Sequence, residues 1–465
     1  MRPVLTPKQM RVLDTEATTA GTPIEILIGR AGAAVARAAK RMMGGLYGRT
    51  VVVITGKGNN GADGRVTARL LADQGVRVHV IDAEHMPLRL PVSDLIIDAA
   101  FGTGFRGDWS PPATKGVPVL AVDIPSGIDG LTGLAAPDTW QATRTVTFVA
   151  LKPGLLLGAG RALCGEVELV DIGINLGMGN VDINEVERSD VSQWVPQRPF
   201  DSHKWKAALY AVAGSSGMMG AANLCSASAM RAGAGIVHVA SPGIVSDRST
   251  STEIVRRALP ALGWSHEVLD DLSRFKAIVI GPGLGRDEGT VSETRRIIAG
   301  AHIPMVIDGD GLFAVAWGGE GARDIVRSRA AGTVLTPHDG EYTTLLGYAP
   351  SHDRITSARR LASDTNCVCL LKGTTTVVAE PSGEVLMVAN GDQRLATAGT
   401  GDVLAGIIGA LLAQGVAPFH AAASGAWIHG YAASLFTAHE GLIASDLVDL
   451  IPLALSHMRH VGSQD

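Results

Sequence analysis

The chain has 465 residues, of which 46% are apolar and 18% charged. That is ample for large cores and excludes a disordered chain, and at ~150 residues or more per domain it suits two large α/β domains. A net charge of −5 and only 4% aromatic residues exclude a basic nucleic-acid surface and base-stacking platforms.

The first fourteen residues lack the apolar core of a signal peptide. No stretch approaches the ~18 apolar residues of a membrane span. The expectation is therefore a soluble, cytoplasmic protein without nucleic-acid or membrane partners. Cys164, Cys225, Cys367 and Cys369 are too few and too scattered for a disulfide framework. Cys367 and Cys369 form a C-x-C that reads as alternate positions of a buried strand, because no His or second Cys pair stands nearby.

Residues 7–45 read as helix, with an Ala-rich run from Ile24 to Met43. RTVVVITG follows as a β-branched strand, then a Gly/Asn loop and a helix, DGRVTARLLADQG, ending at Gly75. VRVHVID, SDLIIDAAFG and VPVLAVDIPSG are the next strands, and TRTVTFVALKPG and GEVELVDIGIN close the unit. Strands alternating with helices predict a mostly parallel sheet with helices on both faces. The pattern stops in the polar, Pro-containing stretch 188–202. This places one domain at 1–190, a linker at 191–202 and a second domain at 203–465. The second α/β series comprises AALYAVAGSSG, AGIVHVASPG, FKAIVIGPGLG, IPMVIDGDGL, AGTVLTPHDGE and CVCLLKGTTTVVAEPSG, and its last helix starts at GTGDVLAGIIGALLAQG. No fixed-period repeat is present.

Gly56, Gly58 and Gly61 match G-x-G-x-x-G, and Asp82 ends the next strand, as in a dinucleotide-binding fingerprint. The same pattern recurs at Gly102, Gly104 and Gly107, which shows how weak it is. Asn59, Asn60 and Asp63 crowd the first loop with polar side chains that a pyrophosphate cradle does not need. Asp98 and Asp123 end later strands, and Ser126 follows in D-x-P-S-G. Ligands of open parallel sheets bind at these carboxyl ends, so Asn59, Asn60, Asp98, Asp123 and Ser126 can share one crevice. Their oxygens suit a hard cation, and Asp123 is a candidate acid/base. Taken singly, Asp98 and Asp123 read equally well as helix caps.

GNNGADG, DAAFGTGFRG, VDIPSGIDG and FVALKPG, in this order, resemble the NAD(P)H-hydrate epimerase family over roughly residues 5–185. The resemblance implies a Rossmann-like αβα sandwich. It also implies a hydrated nicotinamide nucleotide held by Asn59, Asn60, Gly61, Ala62, Asp63, Gly102, Thr103, Gly104, Phe105, Arg106, Gly107, Asp108 and Asp123. A potassium ion on Asn60, Asp98 and Ser126, and proton transfer at Asp123, are implied as well. Ala62 stands where the family usually has Gly. If that position needs φ > 0, the strain is of order 1 kcal/mol.

Ala398-Gly-Thr-Gly-Asp402 enters an apolar helix. Small residues at a helix N-terminus leave N–H groups free for an anion in flight, and Asp402 can take a hydroxyl proton. Upstream, Lys372, Gly373, Thr374, Thr375 and Thr376 follow a strand and suit a nucleotide phosphate and ribose. No G-x-x-x-x-G-K-[ST] occurs, which excludes a P-loop kinase. Gly281 to Gly285 and Thr336 to Glu341 end other strands, and His338 there reads as a ligand contact.

GTGD with K-G-T-T-T resembles the ribokinase-like superfamily. With His203-Lys204, GSSGMMGA, IGPGLG, DGDGL, TPHDGE and LLKG, the set is similar to the ADP/ATP-dependent NAD(P)H-hydrate dehydratase family over about residues 200–455. The resemblance implies a hydrate site at Ala221, Gly283, His338 and Asp402, and ADP on Lys372, Gly373, Thr374, Thr375, Thr376 and Gly401. It further implies magnesium on the phosphates and a homo-oligomer. Trp205 and Ala208 stand where the family usually has glycines. The implied chemistry is kinase-like: Asp402 deprotonates the ring hydroxyl, which attacks the terminal phosphoryl group. The alternatives are a ribokinase-like small-molecule kinase with an N-terminal nucleotide-binding module, a nucleotide-sensing scaffold and a dehydrogenase.

Overall fold

The computed structural model describes residues 1–177, 181–244, 253–318 and 323–459. Its contacts divide into two units, Arg2–Ile183 and Asn184–Asp465, the latter joined by Met1.

The N-terminal unit opens with α1 (Pro7–Thr19) and α2 (Ile24–Met43). Thr6 caps α1 in a reciprocal capping box with Gln9, which satisfies two orphan N–H groups. Then come β1 (Thr50–Thr55), α3 (Asn59–Ala72), β2 (Arg77–Asp82), β3 (Leu95–Ala99), β4 (Val119–Val122), β5 (Arg144–Phe148) and β6 (Glu166–Val170). The sheet order is β2-β1-β3-β4-β5-β6, all parallel. Alternate strand residues face opposite ways. Val51, Val53, Leu95, Ile97, Leu120 and Val122 pack beneath the three helices. Val52, Ile54, Ile96, Val119 and Ala121 lie beneath Phe105, Trp109 and Trp140. That second face is thus covered by aromatic side chains from loops, with Trp109 edge-on to both Phe101 and Trp140.

The C-terminal unit includes α4 (Arg188–Trp194), whose Val191 is buried in the core together with the following Val195. The stretch read as a linker from residue 191 therefore begins inside a packed helix. Three apolar anchors, Val191, Trp194 and Val195, dock this otherwise polar segment, too few to stand out as a period. After it follow β7 (Ala208–Val212), α5 (Met219–Arg231), β8 (Ile236–Pro242), β9 (Val255–Leu259), β10 (Ala277–Ile280), α6 (Glu288–Gly300), β11 (Met305–Ile307), α7 (Asp310–Ala316), β12 (Thr333–Leu335), α8 (Asp339–Leu346), α9 (Arg354–Thr365), β13 (Val368–Leu371), β14 (Thr376–Ala379), β15 (Val385–Val388), α10 (Thr400–Ala413), α11 (Pro418–Ser434) and α12 (Ala444–Arg459). These strands run β15-β14-β13-β12-β11-β10-β7-β8-β9. They are parallel except at β13-β14 and β14-β15, which are antiparallel. Leu209, Val279 and Val306 on one face and Tyr210, Ile278 and Met305 on the other are all fully buried, so both faces are covered. Cys369 lies in β13 and Cys367 just before it, both as buried free thiols. Burial pushes Cys367 up to about 12 and raises Cys369 as well, so neither is a reactive thiolate. Trp205 packs edge-on to His238 and Phe275, with the Arg274 guanidinium 3.7 Å above its ring. Among the described residues no helix is long and apolar enough to cross a membrane.

Helix α10 is buried on every side from Val403 to Ala413, the signature of a central core helix. It fits because Gly406 has no side chain: a Cβ there would lie 2.1 Å from both the Cys225 carbonyl oxygen and Ser228 Oγ of α5. Gly406→Ala should destabilise the C-terminal unit by about 2 kcal/mol, seen as a lowered denaturation midpoint. Gly29, in α2, has nothing within 4 Å of such a Cβ. Gly29→Ala should instead stabilise the N-terminal unit by about 0.5–1 kcal/mol, measured the same way.

Candidate active sites

The carboxyl ends of β1, β3, β4 and β5 surround a cavity of about 610 Å³. Its floor depends on a tight turn after β1, in which a Cβ on Gly61 would lie 1.9 Å from the Gly56 carbonyl oxygen. This turn starts α3 directly at Asn59, so Asn59, Asn60 and Asp63 face the cavity with Gly102, Thr103, Gly104, Phe105, Arg106 and Asp123. Gly61, Ala62, Gly107 and Asp108 are not part of its lining. Ala62 has ordinary helical backbone and no positive φ. The strain envisaged for that position is absent, because α3 begins three residues before it. Asp82 caps a short turn by accepting from the Glu84 N–H at 2.8 Å and does not line the cavity.

Beneath the cavity, Asp98 is completely buried. Its carboxylate accepts from Ser126 Oγ at 2.6 Å and from the Ser126 N–H at 2.8 Å. Burial raises its pKa, and the bonds from Ser126 and the Ala100 N–H oppose the shift. No cationic side chain among the described residues pairs with it. Asn60 Nδ2 donates to the Phe101 carbonyl at 2.9 Å, while the buried Asn60 Oδ1 has no partner. A buried carboxylate, an orphaned amide oxygen and a hydroxyl form a donor set that fits a hard monovalent cation.

Asp123 lies just past the end of β4 with φ of +67°, and Val149, past the end of β5, has φ of +69°. Non-glycine residues rarely adopt this region, and strain of this kind collects at functional sites. The Asp123 N–H donates to the Val146 carbonyl at 2.7 Å, which holds the turn. Asp123 Oδ1 accepts from Lys152 Nζ and from Thr147 Oγ1, the latter at 3.1 Å. Lys152 is itself 1% exposed and donates to Thr147 Oγ1 and the Phe148 carbonyl. A buried ammonium thus fixes the rotamer of the carboxylate that faces the cavity.

In the C-terminal unit the strand ends form a second centre. Gly399, with φ of +90°, caps α10 and turns the chain so that Thr400, Gly401 and Asp402 form its first turn, where N–H groups lack intrahelical acceptors. Gly401 abuts Lys372, since a Cβ on it would lie 3.4 Å from Nζ. Lys372 Nζ donates to Asp308 Oδ1 at 2.7 Å and lies 4.0 Å from Glu341 Oε2. Asp308 also accepts from Thr336 Oγ1 at 2.6 Å. Burial pulls the Lys372 pKa down, but Asp308, Glu341 and Asp402 outweigh it and hold it above the usual lysine value. Asp402 is pushed up to about 6 by burial and then by Asp308, with Lys372 opposing.

Gly373 lies against the guanidinium of Arg354, which donates to the Lys372 carbonyl at 2.6 Å. Thr374 follows in the turn, Thr375 is buried, and Thr376 opens β14. Ala221 and Gly283 meet: a Cβ on Gly283 would lie 3.0 Å from that of Ala221. His338 caps α8, its Nδ1 accepting from the N–H groups of Gly340 and Glu341. Its Nε2 lies 3.5 Å from Glu341 Oε2.

The chain is 34% identical to the bifunctional NAD(P)H-hydrate repair enzyme Nnr of Moorella thermoacetica, over 94% of this chain and 93% of that relative. The chain belongs to the family of bifunctional NAD(P)H-hydrate repair enzymes. Residues 209–453 match the NAD(P)H-hydrate dehydratase family, and residues 24–90 and 81–154 match the YjeF-related protein N-terminus. A ribokinase-like protein of Enterococcus faecalis, 21% identical, shares the C-terminal fold, with a TM-score of 0.52 over 61% of this chain and 98% of that one. The ADP/ATP-dependent NAD(P)H-hydrate dehydratase of Bacillus subtilis, co-crystallised with ATP and Mg²⁺, is 26% identical, with a TM-score of 0.51 over 61% of this chain and 100% of that one.

Within this repair-enzyme chain, Lys152, Asp14, Asp308 and Glu341 belong to the two centres although sequence reasoning assigned them no role. Lys152 follows a strand by four residues, which is the one signal that could have flagged it; Asp308 stands just past a strand end, as Asp123 does. Removing one member of a buried ion pair strands the other. Lys152→Met is therefore expected to cost the N-terminal unit about 3 kcal/mol, measured by urea unfolding against the wild-type chain.

Proposed function

We propose that the chain repairs hydrated nicotinamide nucleotides: it interconverts (R)- and (S)-NAD(P)HX and dehydrates the (S) form to NAD(P)H with ADP, giving AMP and phosphate. The observation that carries this reading is that one chain holds two centres at strand ends, each with a carboxylate beside a lysine: Lys152 bonds Asp123, and Lys372, bonded to Asp308, acts on Asp402 through its charge. Exchange belongs to residues 2–183 and dehydration to residues 184–465. The same reading makes it a homo-oligomer, as the family resemblance implies, and keeps the cytoplasmic location expected from the sequence.

In the dehydratase centre, Ala221, Gly283, His338 and Asp402 hold the hydrated ring. Lys372, Gly373, Thr374, Thr375, Thr376 and Gly401 hold ADP. Asp402 takes the proton of the C6 hydroxyl, whose oxygen attacks the terminal phosphoryl group in line. The first-turn N–H groups of α10 stabilise the developing charge. Phosphate then leaves C6 as C5 loses a proton, which restores the dihydronicotinamide. The excess of carboxylates around Lys372 suits magnesium-bound phosphates, where the ion supplies charge neutralisation.

In the epimerase centre, Asn59, Asn60 and Asp63 of α3 and Gly102, Thr103, Gly104, Phe105 and Arg106 of the loop after β3 hold the nucleotide, with Gly61, Ala62, Gly107 and Asp108 behind them. Asp123 moves the proton. Potassium on Asn60, Asp98 and Ser126 would supply the positive charge that buried Asp98 lacks, and so hold the Asn60 and Ser126 loops together.

The test is an epimer mixture of NADHX with ADP and Mg²⁺, followed at 340 nm. Complete, ADP-dependent recovery of NADH is expected. Recovery that stops near half removes the epimerase, and a stable phosphorylated product indicates a small-molecule kinase instead. Asp402→Asn should lower dehydration by about 10²–10⁴-fold and spare exchange, and Asp123→Asn should do the reverse. Because Asp402 works as the carboxylate, kcat for dehydration should fall as pH drops through about 6.

A further inference from the structure

Asp63 projects into the epimerase cavity from the second turn of α3 and is only 7% exposed. Its carboxyl group has no hydrogen bond or ion pair among the described residues; burial and like charges alone act on it. Asp14, from α1, lines the same cavity and interacts with Asp123 and Lys152. The other charged groups facing this space are Lys152, already bonded to Asp123, and Arg11, Lys57, Glu84 and Arg106. Lys57 pairs with Glu84 at 2.7 Å and Arg106 lies 3.4 Å from Asp129, and Arg11 is exposed and exerts no resolved effect on Asp63, so none of the three neutralises it. A buried carboxyl without a counter-charge keeps its proton. Burial first, then Asp123, then Asp14, push Asp63 up to about 8, and burial and Asp123 raise Asp14 too. Asp123, by contrast, accepts hydrogen bonds from Lys152 Nζ and Thr147 Oγ1.

We infer that Asp63 is a second catalytic residue of epimer exchange, an acid lining the same cavity as the base Asp123, and that Asp14 adds a third carboxylate around the cationic ring they hold. This rests on the epimerase function proposed above. Asp63 gives its proton to the C6 hydroxyl, the C6–O bond breaks, and water leaves. The N1 lone pair forms the N1=C6 double bond, so the ring carries one positive charge, which the carboxylates attract. A water molecule then attacks the opposite face of C6 and yields its proton to Asp123. Solvent returns a proton to Asp63 and removes one from Asp123. Nothing is oxidised or reduced, and each inversion installs one oxygen from solvent.

The experiment measures epimer exchange directly, by chromatographic separation of the two NADHX epimers across pH and in ¹⁸O-labelled water. In the wild-type chain, exchange should fall as pH rises through about 8, because the acid loses its proton, and each inversion should carry one ¹⁸O. Asp63→Asn should lower kcat for exchange about 10²-fold or more with little change in KM and erase the alkaline limb. ADP-dependent dehydration by the same variant reports that the chain is folded. Asp14→Asn should move the limb to lower pH, and it decides the matter if Asp63→Asn does not fold. An Asp63→Asn enzyme with wild-type kcat, an unmoved limb in Asp14→Asn, or inversion that retains the original oxygen overturns this inference while leaving the epimerase standing. A wild-type chain without any exchange overturns the epimerase reading and this inference with it.

Discussion

A carboxylate buried at the carboxyl edge of a parallel sheet costs several kcal/mol unless something compensates it, and both centres are organised around that cost. Asp98, Asp123 and Asp308 sit at three such strand ends, and each is compensated differently. Asp98 takes a hydroxyl and backbone N–H groups and is left short of positive charge. Asp123 takes the buried Lys152 ammonium. Asp308 shares Lys372 and the Thr336 hydroxyl. The proposed chemistry rests on these differences: a carboxylate short of a cation fits a cation, one held by an ammonium is fixed in orientation, and one that occupies a lysine sets the charge felt by its neighbour Asp402.

Holding such groups in place takes a rigid surrounding. The left-handed backbone at Asp123 and Val149 costs of order 1–3 kcal/mol per residue. It persists because the strand residues leading into both turns are buried, Leu120 to Val122 before one and Thr145 to Phe148 before the other. In the C-terminal unit the equivalent rigidity comes from α10. Gly406 seats the helix against α5, and Gly409 against Val279 of β10, where a Cβ would lie 2.4 Å from the valine methyl. Asp402 is therefore aimed by a helix that cannot shift without displacing the sheet beneath it, as catalytic geometry requires.

Alternation of β-branched strands with helices made the two α/β units legible in the sequence, and Gly-rich loops after apolar runs marked the strand ends that carry both centres. Asn60, Asp98, Asp123, Ser126 and Asp402 were visible for that reason. Lys152 was not, because a lysine before Pro153 reads as a solvated loop residue and only the fold shows it inside. Asp14 lies on α1 among exposed neighbours, Arg11, Val12 and Thr15, and its inward turn depends on how that helix packs. The boundary was read at residue 190, past the division at 183–184, because α4 is polar apart from Val191 and Trp194. The strain envisaged at Ala62 depended on where α3 begins, and helix starts are the least legible part of any sequence reading.

The two centres need opposite protonation states from their perturbed carboxyls. In the dehydration proposed above Asp402 acts as a base, ionised above about pH 6. In the exchange inferred above Asp63 acts as an acid, protonated below about pH 8. Burial raises both, so one physical cause sets both limits, and the difference comes from neighbours: Lys372 pulls Asp402 back down, whereas Asp63 has only Asp123 and Asp14 beside it. The interval between the limits is where both centres act together. A repair enzyme gains from that overlap, because an epimer the dehydratase refuses is recovered only if exchange runs under the same conditions.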